Sequence, residues 1–141
     1  MGKYQRVFGL DVGTKRVGLA RSDLLQLSAN SVGTFPRQDI IKRLKEEDKR
    51  ENIALWVVGW PLMPDGGEDK MTQIVQDFIN ELKRHFPDIP IEKMDERYSS
   101  REAVQNMIDA GVPRMKRREK ERIDRASAAV ILQKYLDMNH N

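Results

Sequence analysis

Along the first 36 residues the apolar positions fall in short β-prone runs. Residues 4–12 and 17–22 are two of them, joined by Gly13-Thr14-Lys15-Arg16, which reads as a hairpin connection. "SVGTFP" at 31–36 predicts a third strand, stopped by Pro36. Asp39 is placed to cap a short helix reaching about Glu51. Its apolar positions, Ile40, Ile41 and Leu44, give way early to charge, so its C-terminal half is expected to fray. "IALWVVG" at 53–59 is a continuous apolar run bounded by Gly59 and Pro61, the pattern of a parallel strand buried on both faces. The spacing then changes. Met71, Ile74, Val75, Phe78, Ile79, Leu82 and Phe86 recur as one helical stripe, ended by Pro87. "IPIEKMDE" predicts a short strand, and Ser99 and Glu102 stand in capping-box register before Ala103, Val104, Met107 and Ile108. Gly111 and Pro113 close that helix. After a basic segment at 114–125, a last helix is expected to place Ile123, Ala126, Ala129, Val130 and Leu136 on its apolar side.

Three strands in a meander followed by alternating strand and helix predict an α/β fold with a mixed sheet. The first strand then lies centrally, pairing with the second on one side and with residues 53–58 on the other. Its C-terminal end is where an open α/β sheet binds ligands, and Asp11 sits at that end. A length of 141 residues suits a single domain, 1–141, with one sizeable core.

Composition narrows the chemistry. Apolar residues make up 39% and charged residues 33%, which is enough to fold beneath a heavily charged surface. The absence of cysteine excludes disulfides, zinc–thiolate sites and thiol nucleophiles. The N-terminus lacks a signal-peptide pattern and no apolar run approaches membrane-spanning length, so a cytoplasmic location is expected. Net charge is only +3, but "RMKRREKERIDR" holds seven Lys and Arg against three acids. Such a run is commonly a solvated helix face. Standing just before Asp124, it also suits an arm that contacts phosphate.

Three acids invite a common site. Asp11 ends the first strand, the pair Asp95-Glu96 ends the fifth, and Asp124 lies in the first turns of the last helix. If the strands bearing Asp11 and Glu96 flank the parallel strand, both carboxylates emerge at one rim and the last helix can pack across it. Ser127 and Ala128 are small enough to let that helix come close. A carboxylate cluster is costly unless cations sit within it, and Mg²⁺ or Mn²⁺ with oxygen ligands answers that need. Two ions ~4 Å apart would activate a water and stabilise the leaving oxygen of a phosphodiester.

"GLDVGTKRVGLA", "VVGWPLMPDGGE", "DERYSS" and "DRASAAVILQKYL", in that order, resemble the YqgF/RuvX family of pre-16S rRNA nucleases over residues 5–137. That resemblance implies an RNase H-like fold related to the Holliday junction resolvase RuvC. Its five-stranded mixed sheet has three antiparallel strands and then two parallel ones, flanked by helices. It also implies Asp11, Glu96 and Asp124 as metal ligands and catalytic acids, with Asp95 the rival to Glu96 one residue away. Arg16 matches the family's basic residue beside the site. Arg97, Lys116, Arg117 and Arg118 are further candidate contacts to substrate. The loop "GWPLMPDGG" departs from the family's usual G-L-P-L-N-x-D-G-S at Trp60, Met63 and Pro64, and Trp60 is expected to anchor that loop against the core.

The expected function is endonucleolytic processing of the 5′ end of pre-16S rRNA, by a monomer or homodimer. Cleavage of a DNA junction is a variant of the same chemistry, and a noncatalytic RNA-binding assembly factor is a second alternative. The run Asp11-Val12-Gly13-Thr14 with Gly18 also resembles the D-x-G-T-x-x-x-G phosphate signature of the sugar kinase, actin and heat-shock ATPase superfamily. Those proteins enclose a nucleotide between two such domains, and this chain has room for one.

Overall fold

The computed structural model describes residues 5–61, 70–95 and 120–139, with side chains from 127 onward in the last segment. The predicted helix after Ser99 and its capping box lie outside the described residues. The elements are β1 (Arg6–Val12), β2 (Arg16–Ser22), β3 (Ala29–Pro36), α1 (Ile40–Arg50), β4 (Ile53–Trp60), α2 (Lys70–His85), β5 (Ile91–Asp95) and α3 (Lys120–Asn139).

The five strands form one sheet in the order β3-β2-β1-β4-β5. β1 pairs antiparallel with β2 and parallel with β4, β2 pairs antiparallel with β3, and β4 pairs parallel with β5. The meander and the central first strand are as the hydrophobic pattern predicts. The C-terminal ends of β1, β4 and β5 therefore share one rim.

Strand alternation divides the core into two layers. Phe8, Leu10 and Val12 of β1, with Trp56 and Val58 of β4, pack against Ile40 and Leu44 of α1 and Val75, Phe78, Ile79 and Leu82 of α2. Trp56 is fully buried, edge-on to Phe8 at 5.9 Å and to Phe86 at 5.2 Å between ring centres. The opposite layer joins Val7, Ala20, Leu55 and Val57 to Ala128, Ile131, Leu132 and Leu136 of α3. β4 contributes to both layers, which is why its sequence is an unbroken apolar run.

Three expectations are corrected. Asp39 holds the N-cap position of α1 but makes no side-chain capping bond. Instead its backbone N–H donates to the Pro36 carbonyl at 2.9 Å, so the turn after β3 starts the helix. The second half of α1 does not fray, because Glu47 turns inward and is fully buried. Its carboxylate pairs with Arg50 at 2.8 Å, Arg43 at 3.0 Å and Arg21 of β2 at 3.4 Å. On α3 the buried row is Ser127, Ala128, Ile131, Leu132 and Leu136, while Ala129 and Val130 are half-buried. The helix turns its small residues to the sheet because the backbone of β1 lies directly beneath them.

That contact centres on Gly9. A Cβ built there would lie 2.8 Å from the Leu132 Cβ and 3.1 Å from the Ala128 carbonyl oxygen, closer than a methyl group tolerates. Helix and strand meet backbone to backbone. Gln133 fixes the helix direction: its Oε1 accepts from the Ala29 N–H at 2.9 Å and its Nε2 donates to the Leu27 carbonyl at 3.1 Å. Ala29 pairs with Ser22, whose hydroxyl oxygen accepts from the Val7 N–H at 2.9 Å. Toward its C-terminus α3 thus runs to the beginning of β1, and toward its N-terminus to the end that bears Asp11.

Candidate active site

Asp11 is the penultimate residue of β1 and is half-buried. It lies on the α3 side of the sheet, in one row with Val7 and Gly9. Two strand residues carry the chain about 7 Å from Gly9 to Asp11. One helical turn before Ala128 carries α3 about 6 Å in the same direction, to position 124. Position 124 shares the i, i+4, i+8 row with Ala128 and Leu132, the two residues over Gly9. The close packing that Ser127 and Ala128 suggested is therefore present, with Gly9 as its unforeseen partner on the strand.

On the neighbouring strand, Gly18 is the direct partner of Asp11. Beyond the last parallel pair, Leu10 with Val58, the next residue of β4 is Gly59. Both positions beside Asp11 thus carry no side chain. A hard cation or a phosphate oxygen meets no obstruction from these two neighbours, and a carboxylate in such a place suits an oxygen-ligated divalent ion.

At the same rim Asp95 ends β5 as the pair partner of Trp60. In β5, Met94 packs on the α3 layer, and Ile91 packs on the opposite layer. Lys93, like Ile91, lies on the α2 side, with its ammonium nitrogen 3.8 Å from the Trp60 ring centre and 3.4 Å from the Gln76 side-chain oxygen. By alternation Asp95 falls on the α2 side, away from Asp11. Trp60 is the last residue of β4 rather than part of the following loop, and it packs partly against the core. Glu96, Arg97, Lys116, Arg117 and Arg118 lie outside the described residues, as does the side chain of Asp124.

Arg16 opens β2, next to the turn after Asp11. With Thr14, Lys15, Pro36, Arg37, Gln38 and Glu81 it lines a cleft of about 580 Å³. Sequence reasoning singled out Arg16 but missed Lys15 and Arg37. The only signal for Lys15 was its place in a basic turn, and nothing in the sequence ties Arg37 to that turn.

The profile of the RuvX family, described as Holliday junction resolvase, matches residues 5–138. The chain belongs to the RuvX family. A relative from Prosthecochloris aestuarii is 45% identical over 96% of both chains, and one from Chlorobium luteolum is 43% identical over 95% of both. A third, from Parabacteroides distasonis, is 37% identical over 94% of both. All three carry the name "Putative pre-16S rRNA nuclease". Among solved structures, Thermus thermophilus RuvC in complex with a Holliday junction aligns with a TM-score of 0.57 at 15% identity, over 95% of this chain and 96% of that one. Fowlpox virus resolvase with its junction DNA aligns at 0.56 and 10% identity, over 97% and 100%. These likenesses show the RNase H-like fold of this RuvX chain, as its sequence motifs imply.

Proposed function

We propose that this RuvX chain is a divalent-metal-dependent endonuclease that processes the 5′ end of pre-16S rRNA in the cytoplasm. One observation carries the reading. Asp11 stands at the carboxyl rim of the sheet, beside glycine neighbours, on the side where α3 touches the β1 backbone at Gly9. Asp95, the last residue of β5, falls on the opposite side of the sheet, and the family motif "DERYSS" supports Glu96 as the acid that joins Asp11. The family motif "DRASAAVILQKYL" supports Asp124, on the helix that touches β1, as the third. The names of the relatives support RNA of the small ribosomal subunit as the substrate.

In this reading Asp11, Glu96 and Asp124 hold Mg²⁺ or Mn²⁺ through carboxylate oxygens. A metal held there would supply an activated water and charge stabilisation at the leaving oxygen. Asp11 is positioned by β1, whose pairing on both edges leaves its backbone little freedom. Gly18 and Gly59 keep the space above that carboxylate clear for the scissile phosphate. Arg16 meets a neighbouring phosphate from the turn, and Arg97, Lys116, Arg117 and Arg118 add cationic contacts that position the RNA without reading its sequence.

The test is cleavage of a precursor 16S rRNA 5′ fragment and, in parallel, of a four-way DNA junction. Each is incubated with Mg²⁺, Mn²⁺ or EDTA, using wild type and Asp11→Asn. Metal-dependent cutting of the RNA, lost by at least 10²-fold in the variant, is the expected result. Cutting of the junction alone would transfer the activity to DNA. Binding without cutting, equal in both proteins, would reduce the chain to an assembly factor.

A further inference from the structure

The cleft beneath the β1–β2 turn faces the α2 side of the sheet, across the rim from Asp11. Its lining sets Lys15 and Arg37 against one acid, Glu81. Two backbone bonds fix its frame: Gly13 N–H to the Arg16 carbonyl at 2.8 Å, and Arg37 N–H to the Lys15 carbonyl at 2.8 Å. The turn is thereby tied to the end of β3, so the two cationic side chains that flank the cleft keep their spacing.

Arg37 is held on two sides. Its Nη2 donates to the Glu81 Oε2 at 2.8 Å, and its guanidinium carbon lies 4.8 Å from the Phe78 ring centre. A guanidinium carries five donors in a fixed fork, so one carboxylate contact and one aromatic face leave donors for an anion. Lys15 is exposed, and among the described residues no carboxylate pairs with it. A concave surface with a surplus of positive charge concentrates the field on what enters it.

The geometry points to a second phosphate subsite, in which Lys15 and Arg37 grip the backbone of the substrate strand a short way from the scissile bond. Thr14 is three positions after Asp11, so the cleft begins within about 10 Å of that residue, a reach of a few nucleotides at most. The strand crosses the rim over the turn, and Thr14 and Gln38 offer neutral hydrogen-bonding groups along its path. Glu81 holds Arg37 in place and also competes with the phosphate for it. The inference rests on the proposed nucleic-acid substrate, but not on catalysis, because the grip needs no metal.

The experiment measures binding of a fluorescently labelled single-stranded RNA to the full chain in EDTA, by polarisation, across a range of KCl concentrations. Lys15→Ala and Arg37→Gln are each expected to weaken binding several-fold and to lower the slope of log affinity against log salt by about 0.7. Glu81→Gln is expected to tighten binding about two- to five-fold, a direction that mere loss of a structural ion pair would not produce. Lys15→Glu, at an exposed turn position away from the core, repeats the test if Arg37→Gln unfolds. Unchanged slopes in both lysine variants, with Glu81→Gln no tighter than wild type, would overturn the subsite while leaving the cleavage assay to judge the nuclease. Reduced slopes in a protein that cuts neither RNA nor DNA would uphold the subsite and remove the nuclease reading.

Discussion

Gly9→Ala probes the contact on which the proposed site depends. The added methyl would stand 2.8 Å from the Leu132 Cβ and 3.1 Å from the Ala128 carbonyl oxygen. Neither atom can swing away, since one is attached directly to the α3 backbone and the other belongs to it. Relief requires α3 to shift off the sheet, and overpacking of this kind costs ~1–3 kcal/mol. Alanine recovers roughly 0.5–1 kcal/mol through the smaller entropy of its unfolded chain. The net destabilisation is therefore about 0–2.5 kcal/mol, which for a chain of this size lowers Tm by up to about 10 °C. Calorimetry measures that fall, and nuclease assays on the folded variant measure a second effect. Lifting α3 also moves the helix that bears Asp124, so cutting should drop well beyond the loss of folded protein. A variant with wild-type Tm and wild-type cleavage would refute both the close approach and its role in assembling the site.

Other perturbations test separate parts of the structure. Glu47→Gln removes a fully buried charge that three arginines share, and should cost ~2–4 kcal/mol, seen as a lower urea midpoint; an unchanged midpoint would deny the inward turn of α1. Asp23 accepts backbone bonds from Leu27 at 2.7 Å and Ser28 at 3.1 Å, which hold its carboxyl below its ordinary value. Because the folded pKa is the depressed one, the stability it adds is present above the ordinary carboxylate value and is lost as pH falls through the folded one. Faster amide exchange at Leu27 and Ser28 in Asp23→Asn should thus appear at neutral pH and fade in acid. The buried indole nitrogen of Trp56 has no hydrogen-bond partner among the described residues, so Trp56→Phe should lose packing alone. It should cost less than the ~3–5 kcal/mol of Trp56→Ala; equal losses in denaturant titrations would show that the indole nitrogen matters.

Much of this architecture is written locally. Period-two runs, a continuous apolar block and a 3.6-residue stripe specified the meander, β4 and α2, because each reflects which side of one element meets water. The strand-end place of Asp11 was legible too, since a carboxylate beside Gly13 and Thr14 breaks an otherwise apolar pattern. The family motifs imply Glu96 and Asp124 as its companions in the proposed site, and the sheet order puts the ends of β1, β4 and β5 on one rim.

What the sequence left open was settled by contacts between distant residues. Glu47 looks like one more surface acid in a charged helix until Arg21, 26 residues earlier, is brought against it. The buried row of α3 could not be chosen from its own composition, because small and large apolar residues surround the helix. The glycine opposite it on β1 made the choice. Lys15, Arg37 and Glu81 likewise form a cleft only when the β1–β2 turn, the end of β3 and α2 pack together. Hydropathy records how a residue meets solvent, and so it determined the elements and the strand-end position of Asp11. Which residues lie against one another depends on chain crossing and close approach, and that only the tertiary structure decided.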